Sequence, residues 1–166
     1  MEVEVREWLD RLAIQDLISR YSDAVTRADW QQCEALFCPD AIWESPLLGL
    51  HYEDRASFIE MLTTTTSYEL LIQTPHATVI TLTGTHQARA TTTIHEFIRG
   101  VTVGGSSETG FEPHVEQYGI YYDSVARSDG EWKFTHRLFV PIYAGTGRVT
   151  GDVRTPRSAL LRPDGA

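Results

Sequence analysis

The sequence predicts an α+β fold. Helical periodicity is confined to the first third of the chain, and Thr-, Val- and Ile-rich strand segments fill most of the rest. Turn signals separate those segments as antiparallel hairpins require. Segregated helices and strands argue against an alternating α/β sheet. The expected form is a strongly bent, antiparallel, mixed sheet shaped as a cone, with three N-terminal helices enclosing a pocket. The chain has 166 residues, enough for one sizeable core and not for two.

The first helix is the clearest element. At about 100° per residue, Leu17, Ile18, Tyr21, Val25 and Ala28 fall within roughly 60° of Ile14, an apolar stripe made for a core. Asp16, Arg20, Asp23 and Arg27 alternate in sign on the opposite, solvated side. A second short helix starts at Asp29, which suits an N-cap, and carries Trp30, Cys33, Leu36 and Phe37 until Pro39 ends it. Asp40 to Glu44 reads as a short strand and Ser45 to Asp54 as a loop. Asp54 suits the cap of a third helix bearing Phe58, Ile59 and Leu62, which the β-branched run Thr63–Thr66 frays out.

Strands follow at Leu70–Ile72, His76–Thr83 and Gln87–Ile98, with Gly84 in a hairpin turn. Residues 101–113, rich in Gly and Ser, read as a loop or long hairpin tip. Val115–Val125 and Trp132–Tyr143 are two long strands joined by the tight-turn sequence Ser128-Asp129-Gly130-Glu131. Residues 1–143 are thus read as one domain. Residues 144–166, with Gly145, Gly147, Gly151, Pro156, Pro163 and Gly165, are read as an extended tail.

Lys and Arg number 14 and Asp and Glu 23, so the net charge is −9. That balance disfavours nucleic acid and anionic membranes as partners, since both need clustered cations. The apolar runs are too short to span a bilayer, and the acidic start, Met1-Glu-Val-Glu-Val-Arg, does not resemble a secretory signal. Cys33 and Cys38 therefore read as free thiols in the cytoplasm. No nucleotide, metal or esterase motif occurs, and no cofactor is expected.

Leu12-Ala-Ile-Gln-Asp-Leu-Ile-Ser-Arg-Tyr21, Ala28-Asp-Trp30, Leu36-Phe37 and Pro39-Asp-Ala41 resemble the opening of SnoaL-like proteins, within the nuclear transport factor 2-like superfamily. Gly119-Ile-Tyr-Tyr-Asp123 and Asp129-Gly-Glu-Trp132-Lys-Phe-Thr-His-Arg137 resemble the ending. The resemblance spans about residues 8–143. It implies a cone with a deep pocket, commonly in a homodimer, and a hydrophobic small-molecule substrate. Relatives of this kind include scytalone dehydratase, bile acid dehydratase, dehydrochlorinases, polyketide cyclases and epoxide hydrolases. Dioxygenase small subunits share the fold and do no chemistry, so the fold does not decide the function.

The resemblance further implies a pocket histidine paired with an acid from the first helix. His76 and His95 match the strand positions of family histidines, as proton acceptor and donor. Tyr21 matches a tyrosine whose hydroxyl enters the pocket. Arg137 matches a last-strand arginine that binds a carboxylate or oxyanion. Thr26 stands where the family pattern has an acid, and a hydroxyl cannot hold an imidazolium by charge. The His–acid dyad is therefore broken: either another carboxylate, Glu44, Glu96 or Glu116, takes the role, or the mechanism is different, or there is none. Asp23 points away from the stripe and is no substitute. Trp43, Tyr118 and Phe139 read as pocket aromatics or as plain core. His51, His86 and His114 read as surface residues, and His136 as inward-facing or packed near Trp132.

Two readings from different classes follow. One is a cofactor-free enzyme of the lyase or isomerase kind, using histidine-assisted proton abstraction for dehydration, isomerisation or cyclisation of a polyketide-, steroid- or aromatic-like molecule. The other is a catalytically silent binding or assembly module. An epoxide hydrolase-like reading is weaker, because no Asp–Arg–Asp set lies in suitable strands.

Overall fold

The computed structural model describes residues 2–64, 69–100 and 114–145. Helix α1 (Glu2–Arg27) buries Ile14, Leu17, Ile18, Tyr21 and Val25, the side the stripe selects. Its wet side carries the Arg27–Asp23 ion pair at 2.6 Å, one helical turn apart. Ala28, at φ 57°, steps into the left-handed region and ends the helix. Helix α2 (Trp30–Ala35) is capped by the Asp29 carboxylate, which accepts the Gln32 N–H at 3.0 Å. Helix α3 (Arg55–Thr64) is capped in the same way by Asp54, which accepts from Ser57 N at 2.7 Å.

Strand β1 (Phe37–Ser45) starts earlier than its sequence suggests. Phe37 and Pro39 belong to the strand rather than to the end of a helix. The segment read as a loop holds a 3-10 turn at Pro46–Leu48 and a short strand, β2 (Leu50–Tyr52). Strand β3 (Leu70–Leu82) is continuous where two strands were expected. Pro75 is tolerated because β3 is an edge strand with an irregularity between Pro75 and Thr78. Strands β4 (Gln87–Arg99), β5 (His114–Ser128) and β6 (Glu131–Gly145) complete the sheet. The tight turn before β6 uses Asp129 and Gly130, both at positive φ. Residues 101–113 and the tail beyond Gly145 lie outside the described residues.

The six strands run in the order β2-β1-β6-β5-β4-β3. β1 and β6 are parallel and every other pair is antiparallel. Alternation assigns the faces. Ala88, Ala90, Thr92, Ile94 and Glu96 of β4 are buried on the helix side, as are Tyr121, Asp123 and Val125 of β5. In β6 the phase changes. Val125 pairs with Phe134 and Ser124 with His136, so Thr135 is an extra residue. That bulge turns Arg137 and Phe139 inward and His136 outward. Gly119 makes room for the inner wall: a Cβ there would lie 2.2 Å from the Phe139 ring. Cys33 and Cys38 are buried and unbridged. Among the described residues, no helix is long and apolar enough to cross a membrane.

Candidate active site

A cavity of about 260 Å³ lies between the concave side of the sheet and helices α1 and α3. Tyr21, Trp43, Tyr52, Phe58, Tyr121 and Phe139 supply its aromatic wall, and Leu50, Met61, Leu62 and Ile98 supply aliphatic surface. Trp43 stacks on Phe58 at 5.2 Å between ring centres. This wall follows from strand parity and from the apolar faces of the two helices.

Against that wall stands one polar cluster: Gln73, Glu96 and Gln117. Glu96 is the only ionisable carboxyl lining the cavity among the described residues. Gln73 donates from Nε2 to Glu96 Oε1 at 2.6 Å, and Gln117 donates from Nε2 to Glu96 Oε2. The Ser22 hydroxyl donates to Gln73 Oε1 at 3.0 Å, which fixes the amide with its nitrogen toward Glu96. Burial pushes the Glu96 carboxyl above the usual carboxylate range; the two amide bonds and the more distant Arg137 and His95 only partly oppose this. Burial thus favours the neutral form of this carboxyl relative to a solvated one.

Tyr21 reaches the same cavity from α1, and its hydroxyl is hydrogen-bonded to that of Tyr121. Burial, partly offset by Arg137, drives the Tyr21 phenol well above its ordinary value. It therefore remains a protonated hydrogen-bond donor.

Arg137 does not open into this space. It is 1% exposed and forms a two-point ion pair with Asp123, at 2.9 Å from Nε and 3.1 Å from Nη2. Its guanidinium lies 3.9 Å from the ring centres of both Tyr21 and Tyr121 and 4.2 Å from that of Phe134. The expected carboxylate or oxyanion ligand is thus replaced by an internal one, Asp123, behind the two tyrosines. Thr26 is half-buried, and its hydroxyl accepts the backbone N–H of Gln73 at 3.0 Å.

The histidine assignment is corrected by strand parity. His95 is adjacent to Glu96 and so lies on the other face of β4. Its ring stacks on Tyr118 at 4.3 Å and its Nε2 bonds Glu116 Oε1 at 3.0 Å. His76 is exposed beside them, 6.3 Å from the His95 ring centre. Tyr118, expected in the pocket, is exposed on this outer face too. His136 also faces outward, bonding Glu44 at 2.7 Å, and His51 bonds the same carboxylate at 3.1 Å. Of the expected residues, Tyr21, Trp43 and Phe139 meet at the cavity; His76, His95, Thr26, Tyr118 and Arg137 do not line it. Among the described residues, no group of side chains is arranged to hold a metal ion.

Residues 6–138 match the model of the SnoaL-like domain. The chain belongs to the SnoaL-like family. Its fold is shared with a hexachlorocyclohexane dehydrochlorinase, type 2, at 16% identity and TM-score 0.75, covering 90% of this chain and 97% of that one. A type 3 dehydrochlorinase from Novosphingobium barchaimii gives 15% identity and TM-score 0.74, over 92% and 99%. A protein proposed to be a scytalone dehydratase, from Novosphingobium aromaticivorans, gives 18% and 0.71, over 89% and 93%. No curated protein matches the chain by sequence. At these identities the likeness is one of fold. This SnoaL-like chain has the curled sheet and a cavity on its concave side, and Glu96 lines that cavity.

Proposed function

We propose that the chain is a pocket enzyme of the lyase or isomerase kind, acting on a hydrophobic small molecule by proton transfer, with Glu96 as the acid–base group. The observation that carries this is a lone buried carboxyl, held by two amides, facing an aromatic-walled cavity. Ionised Glu96 takes a proton from carbon next to a carbonyl, and the C–H electron pair becomes the enolate double bond. Tyr21 donates a hydrogen bond to the developing enolate oxygen. Glu96 then gives its proton to a hydroxyl leaving from the β-carbon, releasing water, or to a different carbon, giving isomerisation.

The test is a panel of β-hydroxy cyclic ketones, with loss of water followed by mass. Glu96→Gln is expected to lower turnover at least ~100-fold, while His76→Ala/His95→Ala together stay within about twofold of the parent, as expected for groups outside the cavity. Retained turnover in Glu96→Gln, with loss in the double-histidine variant, would return the chemistry to the outer face. The silent binding module is the second reading, favoured by Thr26, whose hydroxyl is engaged by the Gln73 backbone rather than by a base. Tight binding with no turnover anywhere in the panel would select it.

A homodimer and a cytoplasmic location complete the proposal. Tyr118, Tyr122, Ile142 and Tyr143 are exposed on or beside the outer sheet face, apolar area that a second copy would cover. Sedimentation of the parent and of Tyr118→Glu tests this: a monomeric parent refutes it.

A further inference from the structure

The cavity's charge balance says what kind of molecule it admits. Six aromatic side chains present ring surface to it, and the faces of such rings are electron-rich. Its one ionisable carboxyl is Glu96, and no Lys, Arg or His lines it among the described residues. Arg137 does not line it: the Tyr21 and Tyr121 ring centres lie 3.9 Å from its guanidinium, and Asp123 pairs with its Nε and Nη2, while its Nη1 is buried without a hydrogen-bond partner. An anion entering this space loses its water and finds no counter-charge, an expensive transfer. A neutral ring loses little water and gains the aromatic wall. The volume adds a second limit. An engineered apolar cavity of about 150 Å³ takes benzene, whereas drug-sized ligands use ~300–1,000 Å³. At about 260 Å³ this space suits one or two rings.

We propose that the pocket is a charge filter: it takes neutral molecules of one or two rings and rejects their carboxylate counterparts, with Glu96 as the rejecting group. This rests on the reading of the cavity as a small-molecule site and adds the class of ligand. It also separates this chain from any scheme in which Arg137 anchors an acidic substrate.

The experiment is calorimetric titration of the full chain at pH 8 with 2-naphthol, 2-naphthoate and 1-hydroxypyrene. These are a neutral two-ring probe, its anionic counterpart and a neutral four-ring probe. The parent protein is expected to bind 2-naphthol at least ~100-fold more tightly than 2-naphthoate, about 2.7 kcal/mol at 1.36 kcal/mol per tenfold, and to bind 1-hydroxypyrene more weakly than 2-naphthol. Glu96→Gln is expected to narrow the naphthol–naphthoate gap about tenfold. The comparison among probes on the parent needs no variant, so a poorly folding Glu96→Gln leaves the test intact. Naphthoate binding within about threefold of naphthol, or tighter binding of the four-ring probe, overturns the filter while leaving the pocket reading in place. An unchanged gap in folded Glu96→Gln overturns the role of Glu96. Absence of binding by all three removes the pocket reading and the filter together. Binding in the expected order without turnover keeps the filter and removes only the catalytic reading.

Discussion

His95 and Glu96 are neighbours in β4, yet one faces outward and the other into the cavity. On the outer face, His95 pairs with Glu116 at 3.0 Å beside the exposed rings of His76 and Tyr118. The His95 side chain is 16% exposed but that of Glu116 is 43% exposed, so water and salt still screen the pair and its charge adds little to the fold. On the inner face, Glu96 has neutral amides for close partners and a titration displaced upward by burial. A carboxylate bonded to a histidine looks like catalytic equipment, and a glutamate beside two glutamines does not. The surroundings separate the two, because burial displaces the Glu96 titration upward while the Glu116 side chain of the outer pair keeps 43% of its exposure to solvent.

Three experiments sharpen the contrast between the faces. The largest effect is expected at Arg137. Arg137→Leu leaves Asp123 buried without its counter-charge and should cost about 3–5 kcal/mol in denaturant unfolding. The double change with Asp123→Leu should recover much of that loss. A cost for the single variant near that of an outer-face change would show that the two faces do not differ as described.

An intermediate effect is expected from Glu96→Gln as a function of pH. The native state holds the Glu96 proton more tightly than the unfolded chain does. Parent stability therefore falls as pH rises from the ordinary glutamate range through the raised native value, then levels off. The Gln variant has no such titration, so its melting temperature should gain on the parent's across that window. A pH-independent difference between the two would contradict the upward displacement. The smallest effect belongs to His95→Ala, expected to cost about 1 kcal/mol in the same unfolding assay through loss of its ring contacts with Tyr118 and Phe97.

Much of the fold was legible in the residues. The Ile14-to-Val25 stripe, the caps Asp29 and Asp54 and the Ser128–Glu131 turn act through local geometry and need no distant partner. The errors lie where tertiary context overrides local signals. Pro39 read as the end of a helix and residues 73–75 as a gap between two strands, yet both lie inside strands. The site was legible only in part. Tyr21 was legible on the helix stripe; Trp43 and Phe139 were read with Tyr118 as pocket aromatics or plain core, and of these three only Trp43 and Phe139 border the cavity. Glu96 was named only among possible replacement acids, because Thr91-Thr92-Thr93 blurs the alternation that separates the two faces of β4. Counting by twos from Ala88 through Ala90 and Ile94 reaches Glu96 and passes over His95, and that parity was the available signal. The bulge at Thr135, which decides the directions of His136 and Arg137, has no local signature. It appears only when β6 is laid against β5.

The parallel pairing of β1 with β6 bears on how the chain reaches this state. Trp43 meets Arg137 and Phe37 meets Phe134 across that seam, joining the start of the sheet to its last strand. The hairpins β3–β4 and β5–β6 close short loops, whereas this seam closes a loop spanning most of the described chain. Its entropy is repaid only after the hairpins exist, so the seam belongs to the late, slow part of assembly. Trp43 and Phe139 both border the cavity. The cavity wall is therefore expected to close late in folding, and the time course of Trp43 burial in stopped-flow refolding, measured against hairpin formation, checks it.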